Sequence, residues 1–316
     1  MIAQTQHTIH QNRETQLWRD ILNRLAYFSI FRYPLTVEEI QNYLPYQASL
    51  DDLRVALAVL VDKKLCFRAG QYYSTLKSVE INRAERLTKE EVAARYFQKL
   101  PFYARIISSF PFVRGVAISG SLSKGVIHED GDIDYFIITA HNRLWITRLM
   151  LVLFKKIFLL NSHKYFCINY FVSENHLDIP DHNLFTATEI VTLMPVYQPS
   201  VIAEFKHANK WTNQFYSDFS QPRMVDTVEP KQPQLKRFFE YVLSNRMGDW
   251  LDRASMKLTL FTWKRKFKQF DDEKFELTMR STRNVSKHHP QDFQNQVLAK
   301  LTDCMDDINA RMEKVI

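Results

Sequence analysis

The chain has only six glycines in 316 residues, and four of them (Gly115, Gly120, Gly125 and Gly131) fall inside one stretch, VRGVAISGSLSKGVIHEDGDIDYFIIT, residues 113–139. Glycine lends the backbone conformations that other residues resist, so its concentration marks a place where the chain must turn tightly or approach something closely. On either side lie apolar segments, VRGVAIS (113–119) and DIDYFIIT (132–139), that read as buried strands. The second carries Asp132 and Asp134 where a core would take Ile or Phe. A helix over 142–160 and a third strand, KYFCINYFV (164–172), follow. This alternation predicts an α/β core of residues 113–200, with a mixed sheet and flanking helices.

Composition narrows the classes open to such a chain. Hydrophobic content of 46% and aromatic content of 13% suit a folded protein of two or three domains. Cys66, Cys167 and Cys304 are far apart and lack zinc-ligand spacing, which suits a reducing compartment and excludes a disulfide framework. MIAQTQHTIHQNRETQ has no apolar segment of a secretory signal, so a cytoplasmic location is expected. LWITRLMLVLFKKIFLL (144–160) is interrupted by Arg148, Lys155 and Lys156 and is shorter than a bilayer crossing requires. It reads as a helix packed on the sheet, and no membrane span is expected.

Residues 14–76 have the order helix, helix, helix, hairpin, which predicts a winged-helix module. Thr36 and Glu39 have capping-box spacing, Ser49 can cap a third helix carrying Leu53, Leu57 and Leu60 on one face, and Ala69-Gly70 can turn a hairpin. Such modules often read DNA. Here seven basic and seven acidic residues cancel between Glu14 and Leu76, and Asp51 and Asp52 open the would-be recognition helix. Duplex affinity draws on phosphate neutralisation, so contact with a protein partner or a second copy is favoured over nucleic acid. Residues 77–112 read as a helical connector broken at Pro101 and Pro111. Residues 201–316 read as a C-terminal helical region, with helices at 201–219, about 234–267 and 290–313 and a loop marked by Pro222, Pro230 and Pro233.

On a strand, residues two apart point the same way, so Asp132 and Asp134 would share one face and could share a divalent cation. Hard oxygen ligands left open on the remaining sides suit Mg²⁺ that substrate phosphates also hold. Gly120 and Ser121, at the end of the first strand, offer backbone N–H groups and a hydroxyl to phosphate oxygens. An EF-hand loop starting at Asp130 is excluded, because Tyr135 falls where glycine is required and His141 where glutamate is. Asp130-Gly131 also reads as a turn, and a solvated acidic strand end is the competing explanation for the carboxylates.

Gly120-Ser121, ten intervening residues and Asp132-Ile133-Asp134-Tyr135 together resemble the signature of the DNA polymerase β-like nucleotidyltransferase superfamily. The resemblance covers residues 96–173. It implies an α/β core that binds a nucleoside triphosphate, ATP being the expected one, with Mg²⁺ or Mn²⁺. The implied reaction transfers the nucleoside monophosphate to an acceptor and releases pyrophosphate. Asp132 and Asp134 would ligate the metal, Gly120 and Ser121 would touch the triphosphate, and Lys124 would lie near it. Members of the superfamily usually carry a third carboxylate on the next strand. Asn169 aligns there, with Glu174 as the substitute under another register and Asp178 as a weaker one. Asn can ligate through its carbonyl oxygen but cannot act as a base at neutral pH. A catalytically weak nucleotide-binding regulator acting through its winged helix is therefore the alternative.

The formal charge of +7 collects in the C-terminal third, where Lys231 to His289 hold fourteen basic and seven acidic residues. WKRKFK (263–268) and the cluster Arg280, Arg283, Lys287, His288 and His289 could serve an acidic acceptor or the leaving pyrophosphate. They could equally be solvated faces, and His288-His289 reads as a helix-end feature before Pro290.

Overall fold

The computed structural model describes residues 2–162, 164–217, 219–220, 225–271, 275, 278–279, 281–287 and 292–314, with the backbone alone for 2–12. Pro222, Arg280, His288, His289 and Pro290 lie outside the described residues.

Helix α1 (Ile2–Ser29) is followed by α2 (Val37–Asn42) and α3 (Leu50–Asp62). The capping box forms: Glu39 N donates to Thr36 Oγ1 at 3.3 Å and Thr36 N donates to Glu39 Oε2 at 2.9 Å. Ser49 Oγ accepts from Asp52 N at 3.1 Å, and Leu53, Leu57 and Leu60 are buried. Strands β1 (Phe67–Ala69) and β2 (Tyr72–Ser74) pair antiparallel around Gly70, and Leu35 bridges to Tyr73.

Helix α4 (Val79–Ser108) runs unbroken through Pro101, contrary to the expected break. Tyr96, Leu100, Ala104 and Ile107 form one buried stripe on both sides of the proline. Packing of that stripe on the sheet offsets the ~3 kcal/mol an interior proline costs.

Strand β3 (Val113–Ser119) leads through the single turn α5 (Gly120–Ser123) to β4 (Asp134–Thr139). The chain continues into α6 (Leu144–Phe158), β5 (Cys167–Ser173), α7 (Leu184–Val191), β6 (Met194–Tyr197) and α8 (Pro199–Ala208). Next come α9 (Pro233–Leu243), α10 (Arg246–Lys266), β7 (Val285–Lys287) and α11 (Phe293–Met312). The result is an α/β fold on a mixed five-stranded sheet, order β6-β3-β4-β5-β7. The β4–β5 pair is parallel and the others are antiparallel.

One face of the sheet (Ile118, Tyr135, Ile137, Phe171) packs under α4 and α6, with Tyr96, Leu100, Trp145 and Leu151. The other (Ala117, Phe136, Ile138, Val172) meets Ile190 of α7 and Ile202 and Phe205 of α8. No helix among the described residues is long and apolar enough to cross a membrane.

Four departures from the sequence expectations lie beyond residue 186, the first being that the helix expected over 201–219 is α8, which ends at Ala208 and is followed only by a 3-10 turn at Lys210–Gln214. FTATEIVTLMPVY (185–197), whose pattern predicts helix, ends in β6, an edge strand, where Pro195 is tolerated because one side of the strand needs no ladder. The region expected to be wholly helical supplies β7 to the opposite edge. The long basic helix is two helices, because Asn245 accepts from Met247 N at 3.0 Å and Gly248 N at 3.2 Å and so starts a new one. A Cβ on Gly248 would lie 1.8 Å from Leu243 O, so only glycine lets the two helices meet this closely.

Candidate functional site

Pairing of β3 with β4 sets Ser119 opposite Asp134, so the end of one strand faces the start of the other. Gly120 follows with φ +68°, a left-handed backbone that favours glycine. A Cβ there would stand 2.8 Å from Asp134 Oδ2. The glycine therefore supplies both the turn and the room for the carboxylate. Asp134 is the first residue of β4 and shares the face of Phe136 and Ile138. Asp132 lies before the regular strand and not on it, correcting the expectation that strand pleating alone aligns the two. The turn expected at Asp130-Gly131 is present, with Gly131 N donating to His128 O at 3.0 Å.

The β4–β5 ladder pairs Tyr135 with Ile168 and then Phe136 with Tyr170, leaving Asn169 as the extra residue of a bulge. Bulges re-aim side chains, and Asn169 Nδ2 donates to Asp134 Oδ1 at 3.0 Å. Burial is the main cause that pushes the Asp134 carboxyl up, to about 6. Hydrogen bonds from Cys167 and Asn169 pull it back, while the charges of Asp132 and Glu189 push it further. Asp132 is thus close enough for Asp134 to feel its charge.

Glu189 was not foreseen. It projects from α7, its Oε2 accepts from Gly120 N at 3.2 Å, and its Oε1 accepts from Lys124 Nζ at 2.8 Å. Lys124 Nζ also donates to Gly120 O at 3.0 Å. The N–H and the ammonium named from the sequence as phosphate contacts therefore converge on one carboxylate. Glu189 had a signal, being the one charged residue in FTATEIVTLMPVY. Its destination depends on a fold in which a helix 69 residues further on returns to Gly120.

Glu189 lines a cavity of about 540 Å³, and Asp132 is not among its lining residues. Ser121 and Lys124 line it alongside Gly120, Asp134 and Asn169. Its apolar walls come from distant parts of the chain, with Tyr27, Phe28 and Phe31 from the N-terminal region, Phe205 from α8 and Phe293 from α11. At its edge Tyr33 donates to Lys124 O at 3.2 Å, and Arg86 pairs with Glu39 at 2.6 Å.

Glu174 is not brought to the site. Asp134 pairs with Cys167 and Thr139 with Ser173, so Glu174 leaves the opposite end of β5, on the order of 20 Å along the strand. It accepts from His141 N at 3.1 Å and faces Arg114 at 3.8 Å. Asp178 is exposed on the loop after β5. Lys287 reaches the cavity wall from β7. Arg283 instead donates to Asn142 Oδ1 at 2.7 Å, and Lys264, Arg265, Lys266 and Lys268 face solvent.

Among the described residues no cluster of three or more His, Cys, Asp or Glu side chains is placed to hold a metal by itself. Two carboxylates and an amide oxygen are hard donors, and such an incomplete set fits Mg²⁺ or Mn²⁺ whose remaining ligands come from substrate phosphates and water. Comparison with protein-family models, curated proteins and solved structures found no match.

Proposed function

We propose that the protein is a metal-dependent nucleotidyltransferase of the polymerase β type, moving a nucleoside monophosphate from a nucleoside triphosphate to an acceptor. One observation carries this reading: Gly120 N–H and Lys124 Nζ converge on an anion immediately beside Asp134, at the head of a cavity. A protein carboxylate fills that anion position, and a phosphate has the charge and acceptor geometry to replace it.

In this reading Gly120, Ser121 and Lys124 hold the triphosphate, with ATP the expected nucleotide, and Asp132 and Asp134 hold Mg²⁺ or Mn²⁺. The metal would supply charge neutralisation for the attacking and leaving oxygens. The acceptor oxygen or nitrogen bonds to the α-phosphorus as the bond to the pyrophosphate oxygen breaks. Asn169 orients the Asp134 carboxylate and, lacking a basic group, leaves the acceptor proton to another base.

A second reading is favoured by Asn169 and Glu189 together: a nucleotide-binding regulator without turnover, acting on a protein partner through a winged-helix-like module at 14–76. Incubation with each α-labelled triphosphate and Mg²⁺ or Mn²⁺, with and without cell extract, separates the two. Label transfer and pyrophosphate release, both lost in Asp132→Asn/Asp134→Asn, are the expected results. Unchanged transfer by that double variant would end the claim. Metal-dependent ATP binding without transfer, tightened about tenfold by Glu189→Gln, would establish the regulator.

A further inference from the structure

Helix α9, PQLKRFFEYVL, carries Leu235, Phe238, Phe239 and Val242 at i, i+3, i+4 and i+7, the spacing of a single apolar stripe. A surface helix of a folded protein normally buries such a stripe. This one does the reverse. It docks through Lys236, whose buried Nζ donates to Ser108 O at 3.0 Å and Val113 O at 2.8 Å. Glu240 completes the attachment, accepting from Phe112 N at 2.7 Å and Arg114 at 2.8 Å. The apolar side chains face outward, Phe238 at 59% exposure, with Tyr241 at 84%. After a two-residue break, α10 adds Met247, Trp250 (66%), Leu258 and Phe261 (65%) to the exposed apolar surface.

The charge around these groups is one-sided. Residues 231–268 hold ten Lys and Arg against three Asp and Glu, a net of +7 that equals the formal charge of the whole chain. Nine of the ten cations are exposed, all but Lys236. All three carboxylates are engaged with the protein. Glu240 is held as above, Asp249 by Arg143 at 2.5 Å, and Asp252 by Trp145 N at 2.8 Å and Ile146 N at 3.0 Å. The outward chemistry is thus aromatic and aliphatic side chains set among cations.

We propose that α9 and α10 form a peripheral docking surface for a bilayer with anionic headgroups. Exposed Phe, Tyr, Trp and Leu suit the boundary between headgroups and acyl chains, while the surrounding Lys and Arg suit anionic lipid. A second copy of the chain is a poor occupant, because two-fold association places the same patch on both sides and sets +7 against +7. A phosphate backbone would satisfy the cations but leave Leu235, Val242, Met247 and Leu258 without apolar partners.

Co-sedimentation of the full chain with vesicles of phosphatidylcholine alone, and with added phosphatidylserine, tests the proposal. Binding is expected on the anionic vesicles and weak on the neutral ones, decreasing as salt rises. It should be accompanied by a blue shift of tryptophan fluorescence that is smaller in Trp250→Phe. Phe238→Ser/Phe239→Ser should lower binding by at least about tenfold, since each lost ring is worth roughly that factor. Arg237→Glu/Lys257→Glu should do the same through charge. All of these side chains are exposed, and far-UV circular dichroism and thermal melts should match the parent. Three results would overturn the proposal: no binding to anionic vesicles, anionic binding untouched by loss of the two phenylalanines, or a parent dimer in solution that the double-serine variant converts to monomer.

Discussion

At neutral pH Asp134 must hold its charge half-buried, beside Asp132 and Glu189, and its pKa stands near 6 for that reason. In the unfolded chain the same group ionises near 3.9. Between these values the native state binds more protons at this group than the unfolded state does, so the contribution of Asp134 to stability is most favourable below about pH 4. It falls as pH rises, and the penalty is complete above about pH 6. Asp134→Asn removes the titration but keeps one acceptor oxygen for Cys167 or Asn169. With chelator present, the variant should be about 1–2 kcal/mol more stable than the parent at pH 7 and equal to it near pH 4. Urea unfolding across that range measures this, and parallel pH profiles for the two proteins would contradict it. Gly120 and Asp134 were legible because a glycine's freedom and a carboxylate in an apolar run are local signals, whereas Asn169 was reached through the resemblance and its aim at Asp134 depends on a bulge that strand parity does not predict. Glu174 was offered as the substitute under another register, and the length of β5 carries it away from Asp134. Glu189 showed only as a lone charge in an apolar run, because its role depends on a helix returning from elsewhere in the fold.

Elements were legible where a cap, a turn or a sustained period marks them locally. Strand β3 matches its sequence expectation, and α6 falls within two residues of it, because each has many periodic positions. Strands β6 and β7, four and three residues long, offer too few positions for a period to emerge, and their pairing to distant strands is what makes them strands. The start of α6 shows the same dependence. Arg143 gives it no side-chain cap, and Asp252 of α10 accepts from Trp145 N and Ile146 N in its place. A carboxylate at a helix N-terminus also meets the positive end of the helix dipole. Asp252→Ala would leave two buried N–H groups without an acceptor, at about 1–3 kcal/mol each, and should cost about 3 kcal/mol overall. Asp252→Asn retains an oxygen and should cost about 1 kcal/mol. Chemical denaturation distinguishes the pair, and equal losses for both would show that the capping bonds are not what Asp252 contributes.

Over the whole molecule, the two ends of the chain close on each other. Val297, Leu301, Ile308 and Met312 of α11 are buried in the same cluster as Trp18, Leu22, Leu57 and Leu65, and Arg311 donates to Lys64 O at 2.5 Å. Leu184, Ala187 and Val191 of α7 join that cluster, so the helix that presents Glu189 is anchored on residues from both termini. Composition and periodicity place boundaries near 76 and 200, because they register only local changes. A helix at 290–313 was expected from the sequence, but not the surface it would cover. If the cluster couples the N-terminal helices to the sheet, damage in α11 should be felt throughout. Ile308→Ala should destabilise the protein by about 2–5 kcal/mol, the range for emptying a buried aliphatic site. The loss should appear as one displaced transition, coincident by tryptophan fluorescence and by far-UV circular dichroism. Two separated transitions, with only the first moved by the substitution, would mean that the terminal helices form a unit of their own. The cavity wall they supply would then open without unfolding the sheet that carries Asp134.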